Sequence, residues 1–434
     1  MIKNLMDASL EMFDESEIYY KRTNDTSIGY GNWDIRTISS NQLTGTMLRV
    51  KKDGRLGLSY ATSLDAAKQL LDSAANSAKY GEKIPYSFSH ATEFADIKPW
   101  NAEAAEYPTQ KLIDICEYAK EQVKAELPDI SLNIGASKSE VELTIMTSHG
   151  TNAKHIATSI EFGISAPIKG AGISVYRSKE SINPFEYPEQ EVAEFIRRYK
   201  WTKTNVTPTT KKMPVLWTPD AMYMFALSLC AGMSGEELVK KTSPLLEKFE
   251  KKILDAKLTI MDDPHSLKIG ARAFDDEGIP TEKRPLIENG ILKSYLLDLR
   301  TGAKLGARSS GNGFKKALFG GGANSLPNPW PANLWIKPGT ESYNDIIGKI
   351  DEGIILTGGL GFHSSNYTQG HISVQAVGFM VEKGQVVGRL ENTMVAGNIY
   401  EDFLNINIIS KELELGMGGY YPYILLDSMQ VVGK

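Results

Sequence analysis

The residues most able to do chemistry in this chain are its six histidines, and their spacing decides what they can do. A zinc protease built on a helix needs two histidines about one turn apart, with a glutamate beside the first to activate water. His90, His149, His155, His265, His363 and His371 offer no such pair, since none is followed by Glu and none has a second His four or five positions on. A serine-hydrolase elbow is also missing, because Gly232-Met-Ser-Gly235 lacks the G-x-S-x-G spacing. There is no S-x-x-K, no Walker loop and no G-x-G-x-x-G, so Gly320 to Gly322 reads as a loop needing positive φ.

Two acidic clusters, Asp262-Asp263-Pro264-His265 and Asp275-Asp276-Glu277-Gly278, could hold a cation. Both lie between strand-like runs and carry turn formers, which favours turn acids. His363, Tyr367 and His371 flank a polar loop and could join His265 as a site or line a substrate channel, although exposed loop histidines are the simpler reading. The run of Arg197, Arg198, Lys200, Lys203, Lys211 and Lys212 could meet nucleic acid, but cations at a helix C-terminus followed by a solvated linker are the better reading, so no direct nucleic-acid partner is expected.

The elements that must position these groups belong to an α+β chain. At 434 residues it is long enough for two domains. The spacing predicts an acidic amphipathic helix over Met1 to Glu17, then a hairpin with Asp53-Gly54 at its turn. Helices follow over Ser63–Tyr80, opened by Thr62, over Pro108–Leu127 and over Pro188–Lys200, with strands from Ile130 to Tyr176. The segment from Val206 to Pro214 reads as an extended linker. It divides a mixed α/β domain with packed helices, residues 1–207, from a barrel-like domain dominated by antiparallel sheet, residues 208–434. The second half opens on strand Val215–Trp217 and a helix from Pro219 to Gly232, and Asn289-Gly290 and Lys383-Gly384 mark hairpins.

Composition bounds the partners. With 48 basic and 53 acidic residues the formal charge is −5, which attracts no phosphate backbone. Cys116 and Cys230 sit in apolar helical patterns as small hydrophobes, which suggests a reducing compartment. With no leader-like segment, the cytoplasm is the expected location. The apolar stretch Ala221–Gly235 is too short for a membrane span, which needs about 20 residues.

Several segments together resemble the TldD/PmbA (TldE) peptidase family, whose older label is modulator of DNA gyrase. They are Leu238-Val-Lys-Lys-Thr-Ser-Pro-Leu-Leu246, Leu258 to His265, Phe274 to Thr281, Ile287-Glu-Asn-Gly-Ile-Leu292, Ala376 to Gly384 and Val395-Ala-Gly-Asn398, with Gly45 to Gly57 more loosely. In that family the TldD subunit carries H-E-x-x-x-H on the helix after the linker, with a later cysteine completing a zinc site. Anchored on Leu238-Val-Lys-Lys241, those three positions fall on Leu227, Ser228 and Gly232, and no cysteine follows Cys230. The resemblance therefore implies a TldE-type subunit without catalytic or metal residues of its own. It implies a TldD-type partner that supplies zinc, a peptide substrate, and a homo- or hetero-oligomer. A free-standing homo-oligomeric peptide-binding protein and a hydrolase with an unrecognised site are the alternatives.

Overall fold

The computed structural model describes residues 2–316 and 321–434, and the chain folds as α+β around two sheet systems. Helix α1, Ile2–Leu10, is shorter than its sequence suggests; Met1 lies outside the described residues. The chain turns at Met12–Phe13, and Glu15 opens a strand because Glu15, Ser16 and Glu17 pair with Lys51, Val50 and Arg49. Strand pairing across the sheet overrides local helix propensity there.

Six antiparallel strands form the first sheet: β1 Glu15–Gly31, β2 Asp34–Lys52, β3 Arg55–Ala61, β4 Asn133–Thr147, β5 Asn152–Pro167 and β6 Ser174–Ser181, in the order β3-β2-β1-β4-β5-β6. At the β2–β3 turn, Asp53 and Gly54 take φ of 51° and 73°, the paired left-handed geometry of a tight hairpin. Helix α2, Ala67–Ala78, is preceded by a short 3₁₀ turn capped by Ser63, not Thr62, whose hydroxyl accepts the Asp65 amide. The one-turn α3, Ala102–Ala105, leads to α4, Thr109–Glu126, and after β6 comes α5, Glu189–Trp201. Leu112, Ile115, Cys116, Ala119 and Val123 of α4 pack with Val192 and Phe195 of α5 onto Ile28, Ile134 and Ile164 of the sheet.

The segment read as a linker is partly sheet: β7, Asn205–Val206, precedes it and β8, Lys211–Trp217, takes up its end. Pro214, which has no amide to donate, sits where the pairing of β8 slips register. Helix α6, Met222–Met233, begins three residues after Pro219 and runs one residue past Gly232; α7, Gly235–Lys240, follows. Short strands β9 Ile260–Asp262, β10 Arg284–Glu288 and β11 Ile291–Leu292 come next, then α8, Leu299–Lys304. Strands β12 Gly313–Phe314, β13 Asn328–Pro329 and β14 Leu334–Ile336 lead to α9, Tyr343–Gly348. The long strands are β15 Glu352–Leu360, β16 His371–Glu382, β17 Gln385–Leu390 and β18 Met394–Asn398, followed by α10, Ile399–Asp402. Strands β19 Ile406–Ile409, β20 Glu414–Gly416, β21 Gly419–Tyr421 and β22 Ile424–Val432 complete the order.

Strands β15, β8, β22, β18 and β16 pair in sequence, and a β15–β16 ladder closes the ring, so a five-stranded barrel stands where a barrel-like sheet was expected. Alternation divides its residues between two cores. Val215 and Trp217 face the cluster containing α6, whereas Leu216 between them joins Tyr343 and Ile346 of α9. A second sheet, β11-β10-β9-β14-β21-β20, packs alongside. Its Asn289-Gly290 turn and the Lys383-Gly384 turn of the barrel both have the left-handed φ pairs that their sequences require. Gly321 and Gly322 have φ of 98° and 105°, while Gly320 lies outside the described residues.

Candidate functional site

Helix α6 is apolar on all sides, so it can only be a core helix, and ten of its twelve residues are buried. It carries the three positions where the resemblance would place zinc ligands and a base. Leu227 is aliphatic, and the Ser228 hydroxyl donates to the Met224 carbonyl at 2.8 Å within the helix. At Gly232 a Cβ would lie 2.1 Å from Tyr400 Oη, so the phenol of α10 fills the space a larger side chain would need. Tyr400 is buried, which raises its pKa and keeps the hydroxyl protonated, and it donates toward the Ser228 carbonyl at 3.4 Å. These residues do not fit a zinc ion. Among the described residues no group of three or more His, Cys, Asp or Glu is placed to hold any metal.

Over α6 lies a cavity of 310 Å³ lined by Leu227 and Cys230 of the helix, by Trp330, Leu334 and Met417, and by Lys315 and Lys316. Burial raises the Cys230 thiol pKa, and the charge of Asp262 adds to the effect, so the group is an inert hydrophobe. Lys315 is pushed down to about 8 by burial and by Arg49; its ammonium turns away over the Tyr19 ring, toward Met47 Sδ and the Ser325 carbonyl. Lys316 donates to the Ala332 carbonyl at 3.3 Å and lies 5.0 Å from the Phe314 ring. Its side chain is exposed where it faces the cavity, while the protein atoms crowded around it and then the charge of Arg272 lower its pKa.

A cleft of 470 Å³ adjoins the two sheet systems. Tyr176, Ser178 and Glu180 of β6 line one side, Leu415 and Gly416 of β20 the other, and both strands are the last in their sheets. Beneath it, Arg177 and Arg198 both donate to Asp220 Oδ2, at 3.0 and 2.6 Å, while Arg177 also reaches Glu414 and Arg198 reaches Glu194. Burial pushes Asp220 up, but the two guanidinium groups outweigh it and hold its carboxyl below the usual range. Glu180 is raised by burial and by Glu161. Met417, at the β20–β21 turn, lines both this cleft and the cavity over α6.

The candidate histidines of the second half divide between two places. His265 Nε2 sits 3.0 Å from the Thr281 carbonyl, in the segment between β9 and β10. His363, Tyr367 and His371 belong to the connection between β15 and β16, where Phe362 packs against Tyr223 of α6 and His371 is exposed beside Asn398.

The acidic clusters are turns in part only. Asp275 accepts the amides of Glu277 and Ile279 around Gly278, as a turn acid does, yet Asp275, Asp276 and Glu277 are all buried. Asp262 ends β9 and accepts from Asn333, Ala332 and Asn312, which corrects its reading as a turn residue. Glu277 joins Glu17 in gripping the fully buried Arg49, whose Nε and Nη2 lie 2.7 and 2.6 Å from the two Glu17 oxygens and whose Nη1 lies 3.0 Å from Glu277. Four of the six cations in the basic run are paired: Arg197 and Arg198 on Glu194, Lys200 on Glu126 and Lys211 on Glu352. Sequence reasoning missed Lys316, Arg177 and Glu414; the one local sign was a Lys-Lys pair inside an apolar, glycine-rich stretch.

Comparison with known proteins agrees with this architecture. The family profile of the PmbA/TldA metallopeptidase C-terminal domain matches residues 210–433, and that of PmbA/TldA metallopeptidase domain 1 matches residues 16–78. A metalloprotease PmbA homolog from Buchnera aphidicola is 25% identical over 473 aligned positions, spanning 100% of this chain and 96% of the relative. The crystal structure of TldE from Thermococcus kodakarensis superposes with a TM-score of 0.89 at 27% identity, covering 100% of both chains. A Thermotoga maritima protein described as a modulator of a DNA gyrase shares the fold, with a TM-score of 0.82 at 21% identity over 100% of both chains. With residues 210–433 matched by one family profile and residues 16–78, which hold the first three strands, by another, this chain belongs to the PmbA/TldD metallopeptidase family.

Proposed function

We propose that this chain is the TldE-type, non-catalytic subunit of a cytoplasmic TldD-type zinc metallopeptidase that acts on unfolded or extended peptides. The observation that carries this reading is α6, where Leu227, an internally bonded Ser228 and a Gly232 closed off by Tyr400 leave nothing to coordinate zinc or activate water. The hydrolytic machinery then belongs to the partner, and this chain contributes shape. Its part is the cleft between residues 1–207 and 208–434, where the free edges of β6 and β20 offer backbone groups to an extended peptide. Loose specificity follows, because main-chain pairing reads no side chain. His265, His363, Tyr367 and His371, which the sequence suggested for a substrate channel, line neither this cleft nor the cavity over α6, and no chemical role is given to them.

Two further features support an intracellular assembly. Cys116 and Cys230 are unpaired and buried, as suits a reducing compartment. On β2, only Thr46–Lys52 pair with β3, so the outer edge from Asp34 to Gly45 is open to a second chain and leaves Ile38 and Leu43 exposed.

The test is co-expression with a TldD-type partner and assay of peptide cleavage. The reading requires a mixed complex and a rate that depends on this chain; equal cleavage with and without it refutes the assignment. Size-exclusion with light scattering, on the chain alone and with the partner, distinguishes the homo-oligomeric peptide-binding alternative, which forms no mixed species.

A further inference from the structure

We infer that the cavity over α6 receives the C-terminal carboxylate of an apolar peptide, with Lys316 as its cationic contact. The inference rests on the reading of the β6–β20 cleft as a peptide track and adds which end of the peptide enters, and where.

Charge comes first. An ammonium has three protons to donate, yet Lys316 donates only to the Ala332 carbonyl and forms no ion pair among the described residues. The acids that bear on it are already engaged: Asp276 pairs with Arg272, and Asp262 accepts from Asn312, Ala332 and Asn333. Among the described residues no Asp or Glu lines the cavity, both charged residues there are lysines, and Lys316 is exposed at it, so an entering ligand meets a cation that no acid offsets. A carboxylate complements that cation and accepts its remaining protons.

Shape narrows the ligand. Leu227, Cys230, Trp330 and Leu334 make the walls apolar, and 310 Å³ is at the small end of ligand cavities, enough for one large aliphatic or aromatic residue. Inorganic anions would leave those walls wet.

Continuity favours a peptide over a free acid. Met417 borders both spaces and is 64% exposed at the tip of the β20–β21 hairpin. A strand laid along β20 therefore arrives at the cavity mouth with its terminus leading.

The experiment uses the full chain without any partner and follows binding by calorimetry and by Trp330-sensitive fluorescence. Three probes are compared: acetyl-Ala-Ala-Ala-Leu with a free carboxylate, the same peptide as its C-terminal amide, and N-acetyl-leucine. The expected result is that the free acid binds at least tenfold more tightly than the amide and than N-acetyl-leucine. Lys316→Met and Lys316→Gln should each erase the preference for acid over amide. Equal binding of acid and amide by the wild-type chain overturns the inference without recourse to any variant. So does a preference that survives in both variants, or N-acetyl-leucine matching the peptide. Because no peptidase is present, failure here leaves the co-expression result standing, and the converse also holds.

Discussion

Arg49 shows most plainly how a single side chain ties the molecule together. It is 2% exposed, it belongs to β2, and its partners are Glu17 on the neighbouring strand and Glu277 from the other half of the chain. Replacing it with Met leaves two buried carboxylates without a counter-charge, and we expect a loss of about 3–5 kcal/mol, read from denaturant unfolding. Glu277 adds a pH dependence. Burial pushes its carboxyl up to about 7, with Arg49 opposing and Asp298 adding to the rise, against an ordinary value of 4.5. The folded chain therefore binds a proton that the unfolded chain has released, so this group's contribution is complete below about 4.5 and is lost as pH rises through about 7. The stability of the wild type relative to Glu277→Gln should accordingly fall from pH 4.5 to pH 8 in thermal melts. A gap independent of pH would contradict it. At Gly232, alanine puts a methyl into the Tyr400 hydroxyl, with an expected cost of about 1–3 kcal/mol that Tyr400→Phe partly restores. The double-mutant cycle measures that coupling directly.

Elements defined by short-range rules behave as their sequences dictate. Gly54 and Gly290 are both hairpin glycines at positive φ, 73° and 78°, but a Cβ on Gly54 meets nothing within 4 Å while one on Gly290 comes 2.3 Å from the Leu254 carbonyl. Gly54→Ala should thus cost about 1–2 kcal/mol for left-handed backbone alone, and Gly290→Ala distinctly more; comparable melting temperatures for the two would be wrong for this geometry. These turns and the helices expected over Pro108–Leu127 and Pro188–Lys200 were legible because each depends on neighbours a few residues away. The start of β1 was not legible, since Glu15 to Glu17 become strand only by pairing with residues more than thirty positions later. The same limit applies to the site. Leu227, Ser228 and Gly232 could be placed by the family resemblance anchored on Leu238 to Lys241, whereas Lys316 meets α6 only through the fold.

At the scale of the molecule, the two sheet systems are joined by buried charge as well as by apolar contact. Arg177 of β6 and Arg198 of α5 converge on Asp220 just before α6. Asp220→Asn removes the carboxylate that the two guanidinium groups share and leaves them only Glu414 and Glu194, with an expected loss of about 1–3 kcal/mol and faster proteolysis between residues 202 and 210; unchanged resistance to protease would argue against a joining role. The barrel carries a further consequence. Its ring is completed by β8 against β22, so the strand that begins the second half finds that neighbour only after nearly all of the intervening sequence has been made. On the ribosome, β8 must therefore wait with an open flank, and shielding by chaperones over that interval is a requirement that the ring topology itself imposes.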